Sequence, residues 1–534
     1  TSTIDLNGNS FVINGASNCT FASGIIDDTP GTSSLSITTT GRTTFSGTTF
    51  NPPVNVSAGR ILLHGSTFNA DCSFTKTGNN NDYSNGGNTF NGNVTLTHSG
   101  SGNFLLNNVN PDIYNGNLTV TNSSSNNIIY LSHTASGTQY NGNITINNTT
   151  GNGIRFGQNN GTCTLASGMS LTIGSGGFSS STLRIRGFTQ VGTANQTLTL
   201  TGTAQLYLEQ NSTWNGPVNI TSPRLFIREN TFNNTLSLTK TGTGNDYSYG
   251  GNTFNGVTTI TNSSTNAIVF ANTAPDTFNN DVSLILSGTN GHIHLAYSAA
   301  GNQFNGNINI NYISADNVYI GRNSGTSTLS AGQTINIIGF GASGTGNLYL
   351  EEFTQLGNTP QFIGLNTNGR LEIGPNSTFN GNLTASVPNL YFFNSTFNGD
   401  VNFNKTGSST NSLSGGNTFN GVTVIENSGS GELRLATSLG DTFNNQVTFS
   451  STGSNRIFVG YAGNNQFNNN IIVNSTNSST GVYFGYTSAT CTLAAGQTIS
   501  VGGLGFDSGN LYFRNFTQVG TTAQSLTLTG TANL

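Results

Sequence analysis

Over 534 residues the chain is only 33% hydrophobic and 7% charged, with 70 glycines, 10 prolines and a formal net charge of −5. That balance supplies no basic stripe for nucleic acid or an anionic membrane surface, and no run of about 18 apolar residues that could cross a bilayer as a helix. It also argues against disorder, which combines low hydrophobicity with high charge and few aromatics, because 10% of this chain is aromatic, including 34 Phe and 16 Tyr.

Residues 1–40 match the rest poorly and read as divergent first coils or an N-terminal cap, and residues 41–534 read as one continuous array without linkers. Lys76-Thr-Gly is followed by Gly-Gly-Asn-Thr-Phe-Asn-Gly around Phe90, and then by aromatic-Asn-Gly beats at Tyr114 and Tyr140. Thr-Cys-Thr-Leu ending at Leu165 and Phe-Thr-Gln at Phe188 fall near two missing beats, and the series resumes at Trp214 and Phe232. The order then starts again. Phe90, Phe254 and Phe419 are evenly spaced (254 − 90 = 164; 419 − 254 = 165), and Lys76, Lys240 and Lys405 keep the same spacing. The chain is therefore about three copies of a 164-residue unit, and seven beats per unit make each beat about 23 residues long. The final residues stop part-way through a unit, so a longer array is expected.

Short alternating runs follow the beats, as in Asn93-Val94-Thr95-Leu96-Thr97 and Asn143-Ile144-Thr145-Ile146-Asn147. Period-two alternation predicts strands with one buried face. No sustained helical periodicity is present, so the expected fold class is all-β. A 23-residue beat with two or three strands cannot bury its own apolar face, but stacked beats can. The prediction is a parallel β-helix, or β-solenoid, with about seven coils per unit, right-handed because parallel crossovers almost always are. Equivalent residues then form ladders. Phe90, Tyr114, Tyr140, Trp214, Phe232, Phe254, Phe278, Phe304, Phe379, Phe397, Phe419, Phe443 and Phe467 are the predicted aromatic core ladder. Asn91, Asn115, Asn141, Asn255 and Asn420 are expected to hold the turns through left-handed backbone angles and amide-to-amide bonds.

Candidate chemistry is sparse. Asp82 and Asp246 give way to Asn411, Tyr83 and Tyr247 to Ser412, and Arg186 corresponds to Glu351 and then Arg514. Asp112, Asp276 and Asp441 recur before a beat and read as turn caps ahead of metal ligands. Lys76, Lys240 and Lys405 read as solvated turn lysines ahead of isopeptide or ligand roles. His292 and His294 form a His-x-His pair, but their equivalents are Ile128 and Tyr130, then Arg456 and Phe458, so a metal site is disfavoured. Cys72, Cys163 and Cys491 read as small core residues, with a Cys19–Cys72 disulfide left open. No catalytic, cofactor or metal site is expected, and the chain is expected not to be an enzyme.

The stretches GGNTFNG, QYNGNITIN, TCTLASG and LTLTGTA resemble the β-strand-repeat proteins exported by Bacteroidota, type IX secretion cargo among them. The likeness covers nearly the whole chain and carries no functional residue with it. It implies a secreted or cell-surface adhesin, or the stalk or fibre that presents one. A C-terminal sorting domain, expected in such cargo, would then lie beyond Leu534. The expected function is a rigid structural or adhesive rod whose partners are copies of itself, a longer chain or surface glycans. A carbohydrate-binding or polysaccharide-cleaving β-helix, with Tyr247 and Tyr249 stacking on sugars, is the second reading. Ice binding through outward Thr-x-Thr pairs is the third.

Overall fold

Three short strands and three corners make one coil, and each strand pairs in parallel with its counterpart in the coils before and after. A computed structural model describes residues 2–314, 316–340, 346–366, 368–476 and 481–534. Among these residues there is no helix. The stack is a β-solenoid of about 21 turns with coils of roughly 24 residues, slightly longer than the sequence spacing predicts. Coil length varies along the stack: Val54 pairs with Cys72 in the next coil (72 − 54 = 18), and Ile471 pairs with Ile499 (499 − 471 = 28). Most of the variation lies in the corners, and the rest is taken up by bulges that shift register within a strand pair, after Thr39, Ile146, Ile310 and Val473.

The chain divides into two compact units, Thr1–Thr258 and Thr259–Leu534. In the first, a two- or three-residue aromatic strand such as Thr89–Phe90 leads into a central strand, Val94–His98, and then into a third strand, Phe104–Leu105. Val94 pairs with Cys72 before it and with Leu118 after it, and Leu118 with Ile144 in turn. Seven coils carry this column from Cys72 to Leu236, one whole sequence repeat further on. Residues 3–27 pair in the same way, Phe11 with Leu35 and Cys19 with Thr43. In the second unit the same three series recur, with Phe278 on Phe304, Val282 on Ile308 and Ile293 on Val318.

The aromatic of each beat points inward, and all thirteen predicted ladder rings are at most 2% exposed. In the first unit Phe68, Phe90, Tyr114 and Tyr140 stack face to face at 5.1, 4.8 and 5.2 Å. In the second, Phe397, Phe419, Phe443 and Phe467 do so at 4.9, 4.8 and 5.2 Å. These spacings follow the parallel-strand separation of about 4.8 Å, at which offset-stacked rings are favourable. Leu165 occupies the ring position of its coil, beside Tyr140. Phe188 does not: Gln190 takes the register position and Phe188 pairs with Cys163, although its ring still reaches Trp214 at 5.0 Å.

The beat asparagines behave differently from expectation in one respect. None of Asn91, Asn115, Asn141, Asn255 and Asn420 has a positive φ; the left-handed asparagines are others, such as Asn107 and Asn159. Their role is the amide ladder. Asn91 donates to Asn69 at 2.7 Å, Asn115 to Asn91 at 2.8 Å and Asn141 to Asn115 at 2.8 Å, and Asn420 donates to Asn398 at 2.7 Å in the second unit. The following glycine also serves stacking: a Cβ on Gly116 would lie 2.3 Å from the Gly92 carbonyl oxygen.

Candidate functional site

A strand end that points inward must do something with the carbonyls of the corner that follows it. Asn122 donates to the Asn127 and Gly153 carbonyls, and Asn148 to those of Gly151 and Ser180. The Lys-Thr-Gly lysines perform the same task with a charge. The solvated-lysine expectation is corrected here, because the side chains of Lys76 and Lys240 are 0% exposed and Lys405 is equally buried. Each curls back to the carbonyl two residues on: Lys76 Nζ donates to Gly78 at 2.8 Å, Lys405 to Gly407 at 2.7 Å, and Lys240 to Gly242.

A buried ammonium needs a counter-charge or a lowered pKa. Asp82 lies 3.9 Å from Lys76, and Asp246 lies 3.6 Å from Lys240. Each carboxylate also accepts from an arginine, Arg60 at 3.0 Å and Arg224, and from the backbone of Ile61 or Leu225. Burial pulls both lysine pKa values down and both aspartate values up, and the ion pairs oppose that pull. In the third copy Asn389 and Asn411 stand where arginine and aspartate stand in the others. Lys405 is left with the Gly407 and Gly431 carbonyls, and burial pushes it down to about 8.

Asp112 and Asp441 link coils, and Asp112 also accepts from Tyr114 of its own turn at 3.4 Å. Asn88, from the Gly-Gly-Asn motif, donates both its backbone and side-chain N–H to Asp112 Oδ1, and Asn417 does the same to Asp441. Burial pushes both carboxyls up to about 6. Asp276 takes the same buried position. His292 and His294 sit perpendicular at 6.2 Å, and His294 stacks on Tyr319 at 4.4 Å. Among the described residues no three His, Cys, Asp or Glu side chains are grouped to hold a metal ion. All four cysteines are free. Cys19 and Cys72 belong to different columns, one beside Thr43 and the other beside Val54.

The outward surface of the third strands is the chemically richest face. In the first unit Tyr130, Arg155, Arg184, Tyr207 and Phe226 form one column. In the second His294, Tyr319, Tyr349, Glu372 and Tyr391 form its counterpart. The rings lie on one another, Tyr319 on Tyr349 at 4.3 Å and Tyr207 on Phe226 at 4.4 Å, with guanidinium groups between them. Ring faces are thus consumed by neighbours and ring edges point outward, which weakens a sugar-stacking role. The two tyrosines named for sugar stacking are exceptions: Tyr247 is 42% and Tyr249 49% exposed, the latter with the Arg228 guanidinium 5.2 Å from its ring. Strand alternation would have found this column, with Tyr83, Leu105 and Tyr130 as its first members.

The outward threonines of the central strands, such as Thr95, Thr119, Thr145 and Thr172, form a column in the first unit. A bulge after Ile146 disrupts the second column there, so the regular Thr-x-Thr plane is short. A comparison with protein-family models, with curated proteins and with solved structures finds no match to this chain.

Proposed function

We propose that the chain is an extracellular structural repeat module, secreted or displayed at a cell surface, whose task is to hold shape as a shaft or fibre segment. The supporting observation is the use made of its ionisable core groups: Lys76, Asp82, Asp112, Lys240, Asp246 and Asp441 all tie one coil to another or a strand to its own corner. The repeat motifs and their resemblance to exported β-strand-repeat proteins support the extracellular placement, and an adhesive role for the shaft goes with it. Electron microscopy and diffraction of the purified protein test this reading. Rods or fibres with an axial spacing of about 4.8 Å and a longer repeat of seven coils, about 33 Å, are expected. Compact particles without axial order would refute it.

A further inference from the structure

The shortest coils, such as the one from Val54 to Cys72, have a corner between central and third strands that is reduced to one residue: Gly59, Pro223 and Pro388 in the three copies. The strand Val54–His64 runs straight through this corner, while the next coil carries a protruding loop at residues 78–81. A recess results. In the first copy it is a groove of about 520 Å³ lined by Asn18, Thr40, Arg42, Arg60, Asn79 and the glycine backbones. Its floor has no side chains because it tolerates none. A Cβ on Gly59 would lie 2.1 Å from the Thr40 oxygen, and one on Gly78 would lie 2.3 Å from the Gly59 oxygen.

Arg42 and Arg60 are register partners on adjacent coils, so their side chains leave the sheet about 4.8 Å apart on the same wall. Arg60 is engaged by Asp82 and the Asn81 carbonyl. Arg42 has no ion pair among the described residues, and its Nε is shielded from solvent without a hydrogen-bond partner. Arg370, the third copy's equivalent, has a shielded Nε as well, but the other copies do not share the charge imbalance. In the second, Gln205 stands where Arg42 does, Arg224 is paired with Asp246, and the recess shrinks to about 220 Å³ beside Pro223. In the third, Arg370 is paired with Glu372. The first copy alone carries a surplus guanidinium, in the larger recess, with no carboxylate among the lining residues.

We propose that the Arg42–Arg60 groove binds an acidic oligosaccharide, with a sugar carboxylate or sulfate on the paired guanidinium groups and sugar hydroxyls on Asn18, Thr40 and Asn79. A guanidinium fork matches an oxyanion, and Arg42 brings to the groove a charge that no described carboxylate pairs with. The groove lacks the apolar anchor a protein partner would use. It also lacks the extended basic track that a nucleic acid follows.

Calorimetric titration of the whole chain with trigalacturonate tests this, using a neutral galactose trisaccharide and inorganic sulfate as the other probes. One site per chain is expected, with affinity at least about tenfold weaker for the neutral sugar, about tenfold weaker in Arg42→Gln, and falling with added salt. Arg42→Lys should retain part of the affinity, and Arg224→Gln should leave it unchanged. Circular dichroism and melting temperature report whether each variant is folded. Failure of trigalacturonate to bind, equal binding of the neutral sugar, or unchanged affinity in folded Arg42→Gln would overturn the proposal. Sulfate binding at Arg42 without trigalacturonate binding would overturn the saccharide assignment.

Discussion

Lys405 carries its charge into a site where two earlier copies of the same lysine have an aspartate and this one has Asn411. Its folded pKa of about 8 lies below the ordinary lysine value of 10.5. Between those values the unfolded chain binds more protons than the folded one, so stability should rise as pH increases from about 8 to about 10.5 and be flat below. Lys405→Met should abolish that slope and raise stability at pH 7 by on the order of 2 kcal/mol, measured by denaturant unfolding across pH. Asp441 has the opposite sign. Its folded carboxyl keeps a proton up to about pH 6 while the unfolded one loses it near 3.8. Stability should therefore fall as pH rises from about 4 to about 6, and Asp441→Asn should remove that dependence. Trp214 offers a check that is independent of charge. It is fully buried, its indole N–H lacks a partner among the described residues, and Phe379 fills the same place in the next copy. Trp214→Phe should change stability by less than about 1.5 kcal/mol, whereas Trp214→Ala should cost about 3–5 kcal/mol in thermal or denaturant unfolding.

At the scale of a coil, two residues of each beat act between coils rather than within the turn. Asn115 both donates to Asn91 and accepts from Asn141, so Asn115→Ala breaks two links of a chain whose members polarise one another. A loss of about 1–2 kcal/mol is expected. Gly116→Ala should cost about 1–3 kcal/mol, because its Cβ meets the Gly92 backbone and that contact cannot relax without parting the strands. Equilibrium unfolding of both variants reads these values directly, and an Asn115→Asp variant, which cannot donate, should fall near Asn115→Ala. The strands and rings were legible in the sequence because alternation and the aromatic period report burial directly. The asparagine's real contact was legible as well, but its backbone angle was not, since a left-handed and an extended asparagine look alike in sequence. The lysines depart from expectation for a related reason. A lysine before Thr-Gly signals a turn, and only the coil's geometry shows that the side chain folds inward to meet carbonyls. Gln190 and Gln355 escaped notice because sequence treats them as surface residues. In the stack each is buried at a ring position and closes a backbone gap, accepting from Gly216 or Gly381.

For each unit as a whole, the decisive property is that every coil contacts mainly the coils on either side. Phe90 touches Phe68, Phe74 and Tyr114, which belong to its own or adjacent coils, and the ion pairs are equally local. The Arg42 groove follows from this arrangement too, since it is made where two short coils (54 − 35 = 19; 72 − 54 = 18) meet a longer one (94 − 72 = 22). It could not be read from the sequence, where Arg42 and Arg60 are simply two arginines in different stretches of the chain, joined by no motif. Stability in such a stack is a sum of coil terms and nearest-neighbour terms. Phe90→Ala removes a fully buried ring and should cost about 3–5 kcal/mol locally. That loss should appear as reduced amide hydrogen-exchange protection in the strands around Phe68, Phe90 and Tyr114, and fade within a few coils. Protection in Val401–Lys405 and Val447–Ser451 of the second unit should be unchanged. If Phe90→Ala instead lowered protection uniformly in both units, the chain would unfold as one cooperative body, and the nearest-neighbour description would fail. Local loss with distant protection intact is the behaviour expected of nearest-neighbour coupling, in which damage to one coil leaves the remainder standing.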